Sequence, residues 1–543
     1  MQFFKKHRNR FIIELAALVF TFLQVAGWQC SMKYDSSVHG STLKSIGMLK
    51  PWQCLTVGLV EWRIWSLALR FLFNLLDRTP APKTTDSSRI TRFLWPISAG
   101  TIFVTHVLFL IACYPGLYNY DMGNQLPQML YKDVPFNAHH PLLHTIVGGG
   151  IIKLGYLIDS SDLTLGVFLY CAFQMLVCAI CFGYTLKYIW QFTGNKVLFT
   201  TGWIFYALCP PIYIFGMCTT KDVMCYAVLL VAAVRIFDID HRLLREQAIA
   251  RGEWWIAGML LALSCLLRKN ISYALMVSAV FSILLVRKKR KAQLIMYIGA
   301  LLAYMIINNS LIMALHAPKS SVAEALSVPF QQMARLYQEK GETAFEGEEL
   351  DLLYAAIDPD MLPNYDPMMA DEIKTAFWLH LDTIMQNKGT YFSLWARKGL
   401  QYPGIYIASF LDNTYQAWYP WTGNKCYRGY RYVDITAWQE DYGRPKWPAF
   451  YEFVKETKES AYGRYPVWRL LFATGTYFWV ALFAFFYNWW KKDRAVISAS
   501  LLILLVCATS LCGPVSDVRY YLILFYMMPV YLNWIFGRKT EEK

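Results

Sequence analysis

The sequence predicts an all-α polytopic membrane protein with about twelve transmembrane helices, and three observations carry that prediction. Of its 543 residues, 56% are hydrophobic and only 17% are charged, where a soluble domain typically has about 25% charged residues. Many apolar runs approach the roughly 20 residues needed to cross a bilayer core. Lysine and arginine fall mainly in the short stretches between those runs, where they act as orientation signals. The formal charge of +14 is therefore not gathered into a phosphate-binding patch, and no nucleic-acid partner is expected. The 13 cysteines lie mostly in apolar runs and show no CxxC spacing, which indicates neither a zinc site nor a disulfide framework.

In chain order the expected spans are 11–29, 53–76, 93–113, 163–187, 198–217, 222–240, 253–267, 271–286, 293–314, 466–489, 495–512 and 518–536. The run Phe11–Gln29 has a basic flank but no small-residue cleavage site, so it reads as a retained span. The second span carries Glu61 and Arg63, and the seventh and eighth are short arms around a break at Arg268-Lys269-Asn270. The run His140–Ile158 decides the topology. If it lies along the outer interface, the basic segments Lys5–Arg10, Arg78–Arg92, Lys187–Lys196, Arg235–Arg251, Arg287–Lys291, Lys491–Arg494 and Arg538–Lys543 all fall on one side, which the positive-inside rule makes the cytoplasm. If it spans, the RKKRK of 287–291 lies opposite the N-terminal KKHRNR. The flat reading is favoured, and the Gly148-Gly149-Gly150 run argues the same way.

That parity gives four regions. Residues 1–92 hold a basic cytoplasmic segment and two helices, 93–314 a seven-helix module with the outer loop 114–162, 315–465 an extracytoplasmic insertion, and 466–543 three helices and a cytoplasmic tail. The insertion is too long for a simple connection, and its acidic cluster (Glu346, Glu348, Glu349, Asp351) and aromatic cluster (Trp418-Tyr419-Pro420-Trp421) predict a folded, mostly helical unit.

The loop Tyr114–Pro141, YPGLYNYDMGNQLPQMLYKDVPFNAHHP, sets one aspartate, Asp121, just beyond the third span and ahead of a His-His-Pro. Outside the cytoplasm there is no nucleotide sugar, so an energy-rich substrate would arrive on a lipid. An acidic residue in the first outer loop of a seven-helix module, a Gln a few positions on, the segment HHPLLH opening an interfacial helix, and a second large outer loop after the seventh helix together resemble the GT-C superfamily of membrane glycosyltransferases. Its members include protein O-mannosyltransferases and the aminoarabinose transferase of lipid A, and the chain looks like a bacterial subfamily of it. The resemblance implies a polyprenyl-phosphate-linked sugar as donor, an extracytoplasmic acceptor in the cell envelope (glycan, lipid or protein), inversion at the anomeric carbon, and Asp121 as general base. It also places Gln125, His139 and His140 near substrate. Asp121 is followed by Met122 rather than a second acidic residue, so no metal-bridged mechanism and no cofactor are expected.

The leaving phosphate needs cations, and Lys221, Arg268, Lys269 and Arg519 sit at the outer ends of expected spans, against the inside bias. Each also has a plainer reading: Lys221 paired with its neighbour Asp222, Arg268-Lys269 snorkelling from a tight helical hairpin, and Arg519 snorkelling above an aromatic helix. Asp222 counts as a further candidate, as does Glu324, early in the second outer loop, whose plainer role is solvated helix surface. His140 and His144 would share a helical face, as metal ligands do, yet no acidic partner follows. The Trp418–Trp421 cluster fits interfacial anchoring better than sugar stacking. A lipid-linked polysaccharide polymerase or ligase would share this layout, and a transporter or lipid flippase would predict internal repeats and midplane charges instead.

Overall fold

The computed structural model describes residues 2–33, 49–78, 88–421, 441–455 and 470–537. Residues 79–87 of the basic segment Arg78–Arg92, the basic tail Arg538–Lys543, parts of the insertion, and the start of the span 466–489 lie outside them. Among the described residues the regular structure is helical, with only isolated bridges between extended segments.

Each run expected to span forms helix. The first three are α1 (Gln2–Lys33), α2 (Pro51–Arg78) and α3 (Ser88–Ala112), and the loop 114–162 then folds into the short α4 (Tyr120–Gln125) and α5 (Pro127–Leu130) and the longer α6 (Leu142–Ile158). After it come α7 (Thr164–Thr193), α8 (Lys196–Leu208), α9 (Pro210–Gly216), α10 (Lys221–Leu244), α11 (Arg251–Leu267), α12 (Asn270–Val286) and α13 (Arg290–Ala314). Five described helices are long and apolar enough to cross a membrane: those at His7–Lys33, Thr91–Ala112, Thr164–Thr193, Arg290–Ala314 and Arg494–Leu511. The run 198–217 is not one straight helix. Pro210 has no amide hydrogen and forces Cys209 to be extended, so α8 and α9 meet at 45°.

Helix α10 is buried along nearly its whole length, as expected of a helix that is apolar on all sides. It packs against α7, α11, α22 (Arg494–Leu511) and α23 (Leu522–Phe536), and so forms the centre of the bundle. The arms α11 and α12 separate at Arg268-Lys269, as the sequence suggests, but they are not a tight hairpin: α11 packs on α10 and α13, and α12 packs on α22.

Helix α6 has 17 residues, about 25 Å of rise, less than the roughly 30 Å of a hydrocarbon core. Its glycines have a packing role. A Cβ on Gly148 would come within 2.9 Å of Met122 and 3.0 Å of Tyr170, and one on Gly149 within 2.8 Å of Met129. Small residues here let the Asp121 loop lie flat against α6.

The insertion forms α14 (Ser327–Lys340), α15 (Glu348–Ala356), α16 (Asp371–Leu379), α17 (Leu381–Gln386), α18 (Lys388–Gln401) and α19 (Pro403–Trp418), followed by α20 (Pro448–Lys455) and α21 (Thr474–Lys491). It has its own core, in which Phe330 and Phe377 stack at 4.2 Å. Asp412 on α19 ties it to α1 and α14 through Lys33 at 2.6 Å and Arg335 at 2.5 Å. The aromatic cluster departs from expectation: Trp418 and Tyr419 are buried, Trp479 donates to the Trp418 carbonyl at 2.8 Å, and Trp421 is the exposed tryptophan of the cluster. Trp418 and Tyr419 therefore fix α19 by packing and are not open for a sugar ring.

Candidate functional site

Two loops far apart in sequence build the site. The amide of Leu117 donates to the Met217 carbonyl at 2.9 Å, and that of Thr219 to Leu117 at 3.0 Å, so the segments before α4 and α10 run parallel. Gly116 makes this possible. Its φ of +113° suits glycine, and a Cβ there would meet Cys171 Sγ at 2.8 Å. The Asn119 amide then donates to Thr219 Oγ1 at 2.9 Å, while the Asn119 side chain caps α4 by accepting from the Asp121 amide at 3.0 Å. Asp121 and Lys221 each lie two residues past this pairing, in the first turn of their helices, and the matched register sets them side by side.

The Asp121 carboxylate is buried between Lys221 Nζ at 2.5 Å and Arg519 Nη1 at 2.8 Å. Burial opposes its ionisation, but Arg519, then Lys221, outweigh burial and hold the carboxyl well below the usual range. Arg519 also pairs through Nε with Asp517 at 2.9 Å, and Asp517 caps the single turn Val518–Tyr521 on which Arg519 stands. His140 Nδ1 lies 3.4 Å from Lys221 Nζ. Burial first, and Lys221 second, push this imidazole down to about 2, so it is neutral at physiological pH. Its Nε2 is buried and makes no hydrogen bond.

The remaining cations also point inward. Arg268 pairs with Asp222, donates from Nε to Asn270 Oδ1 at 2.9 Å, and lies over the rings of Tyr520 at 4.6 Å and Tyr226 at 5.6 Å. Lys269 donates to the Ala138 carbonyl, next to the two histidines. Asp222 is therefore partner to Arg268 and not to its neighbour Lys221, and neither Arg268 nor Arg519 snorkels. Successive helical residues point about 100° apart, which lets Lys221 and Asp222 serve different partners. Three of these basic side chains pair with three carboxylates, and Lys269, held by a backbone carbonyl, leaves one positive charge in excess.

Two candidates stand apart from the ion cluster. Gln125 faces away from it: its Oε1 meets His144 Nδ1 at 2.7 Å, and His144 Nε2 meets the Tyr170 hydroxyl at 2.7 Å. The Tyr170 hydroxyl lies 2.9 Å from Gln174 Oε1, and Gln174 donates to the Cys218 carbonyl at 2.7 Å. This buried chain braces the two loops from beneath. It also separates His140 from His144, because His140 precedes α6 and both ring nitrogens of His144 are engaged. Glu324 pairs with Lys374 at 3.0 Å at the rim, where its charge is felt by His139 and Lys269. The rings of His139 and His140 meet edge to face at 4.7 Å. Among the described residues, no three His, Cys, Asp or Glu side chains converge as a metal site requires.

Sequence reasoning missed Asn119, Asp517, Tyr226 and Tyr520. Two of them carried a local signal: Asn-x-Asp opening a helix, and Asp-x-Arg opening a turn. The two tyrosines carried none, because aromatic residues pervade the chain.

Fold and site together define an all-α protein with several helices able to cross a membrane and a buried, ion-paired cluster where two of its loops meet. The chain belongs to the family of unknown function DUF6020, whose model matches residues 131–543. That stretch includes Lys221, Asp222, Arg268, Lys269, Glu324 and Arg519, whereas Asp121 and Gln125 precede it. No curated protein and no solved structure matches the chain.

Proposed function

We propose that this protein is an integral-membrane glycosyltransferase of the GT-C type, which moves a sugar from a polyprenyl-phosphate donor to an acceptor in the cell envelope. The observation that carries the reading is Asp121 clamped between Lys221 and Arg519 in a buried, net-cationic cluster. In this reading the chain crosses the membrane about twelve times, both termini are cytoplasmic, α6 lies on the outer interface, and the loops 114–162 and 315–465 face outward.

A carboxylate held by two cations is a poor base, and this suggests how the donor starts its own reaction. A lipid phosphate entering the cluster competes for Lys221 and Arg519 and offers them more charge than Asp121 does. As they turn to the phosphate, Asp121 loses the charges that depress its pKa and becomes able to accept a proton. The acceptor oxygen then bonds to the anomeric carbon as the carbon–oxygen bond to phosphate breaks. The hydroxyl proton goes to Asp121, and the bond electrons leave with the polyprenyl phosphate, which the same cations stabilise. Neutral His140, with its free Nε2, is placed to hydrogen-bond either substrate.

Asp121→Asn tests the assignment. The variant should still insert and elute as a folded species, at some loss of melting temperature because Lys221 loses its carboxylate, yet release polyprenyl phosphate from a lipid-phosphate sugar about 10²–10⁴-fold more slowly; wild-type rates would sink the assignment.

A further inference from the structure

The far end of α10 carries a second polar cluster of the opposite character. Asp240 lies 19 residues beyond Lys221, about 28 Å along the helix, and is 2% exposed. Its carboxylate has only neutral partners. Gln293 Nε2 donates to Oδ1 at 3.1 Å, Ser282 Oγ donates to Oδ2 at 3.4 Å, and Ser498 adjoins it. The basic side chains nearest in sequence are engaged elsewhere: Arg242 with Asp238 and Glu253, and Lys288 with Glu246.

The oxygens around the carboxylate are more numerous than its hydrogen bonds use. Gln293 Oε1, the Ser498 hydroxyl and the Tyr297 hydroxyl are buried with no hydrogen bond of good geometry, although Ser498 lies near the carboxylate and Tyr297 near Ser282, and each of these three residues is 1% exposed. Tyr297 is one helical turn from Gln293 and shares its face. These groups come from α10, α12, α13 and α22, so four helices meet on one carboxylate. A bare charge in such a place is costly unless it is neutralised. A proton on Asp240 would remove the charge but donate to only one of these three oxygens. A metal cation can be ligated by the lone pairs of all three while the two hydroxyl hydrogens turn to other acceptors, and a single carboxylate balances a single charge.

We infer that Asp240, with the side-chain oxygens of Ser282, Gln293, Tyr297 and Ser498, binds one monovalent metal cation, which closes these four helices together. The site is independent of the Asp121 cluster and of the reaction proposed for it.

The test uses the full-length protein in detergent, with Na+ as the probe. Melting temperature is compared in sodium chloride and in choline chloride of equal ionic strength, and ²²Na+ binding is measured directly. The wild type should melt several degrees higher in sodium and bind ²²Na+ saturably at one site per chain. Asp240→Asn should lose both effects while melting no lower than wild type in choline, because its amide needs no counter-ion. Ser498→Ala keeps the carboxylate and removes one ligand, so its Na+ affinity should fall about tenfold, a result that stands even if Asp240→Asn fails to accumulate. Equal melting in both salts with no saturable ²²Na+ binding would show that the carboxyl is simply protonated and would overturn the site, as would unchanged Na+ affinity in Ser498→Ala.

Discussion

The two ends of α10 solve the problem of a buried carboxylate in opposite ways. At the Lys221 end, Asp121, Asp222 and Asp517 each face an arginine or lysine, and the cluster is rich in cations. At the other end, Asp240 is surrounded by neutral oxygen and amide groups. In the first arrangement the loss of a partner is costly, because an ion left without its counter-charge is stranded in a poorly solvated place. The second has no partner charge to strand. Burial alone therefore does not reveal what an acid does; the compensating groups do.

The largest expected effect that sharpens this comparison is at Asp222. Asp222→Ala leaves Arg268 buried against two aromatic rings without its carboxylate, and should destabilise the protein by about 3–5 kcal/mol, measured as lowered melting temperature and denaturant midpoint. Adding Arg268→Met should recover much of that loss, and a double variant no more stable than Asp222→Ala would break the charge-pairing account.

Acidification comes next. His140 and His144 titrate at about 2 and about 3 in the folded protein, against about 6.5 in an unfolded chain. Below pH 6.5 the unfolded chain takes up protons that the native histidines refuse, so stability falls as pH falls, by about 1.4 kcal/mol per pH unit for each histidine. Asp121 adds to this below about pH 4, where its unfolded form begins to protonate while the native carboxylate does not. Melting temperature should decline steadily from pH 6.5 to 4, and less steeply in His144→Gln; a flat profile would show that these histidines are not buried neutral.

Gly149→Val should cost about 1–3 kcal/mol by overpacking, since its side chain meets Met129. It should also displace the Asp121 loop, so any transfer activity should drop further than stability alone explains. The smallest effect is expected at Asp240→Asn in sodium-free buffer, within about 0.5 kcal/mol of wild type or slightly more stable. A loss there as large as at Asp222 would erase the distinction between the two ends of the helix.

Much of this was legible in the residues. Apolar length places a helix at each expected run, and basic residues at the ends of those runs point to Lys221, Arg268, Lys269 and Arg519, which the fold does gather around the Asp121 loop; the bend at Pro210 departs from the single span expected over 198–217. The pairing was not legible. Lys221 beside Asp222 reads as a pair, yet helical geometry turns them apart, and Lys221 reaches an aspartate 100 positions earlier. Gln125 reads as a site residue but turns inward to His144. Asp240 carried no signal, since an aspartate near a helix end next to arginines looks like ordinary surface.

The sequence by itself determined where the helices form, which loop carries Asp121, and which basic residues stand at the ends of apolar runs, because these follow from local composition and hydropathy. Only the tertiary structure decided which carboxylate meets which cation and which is left without one. That outcome depends on the parallel register of two distant loops and on the rotation of packed helices, neither of which has a local signature in the chain.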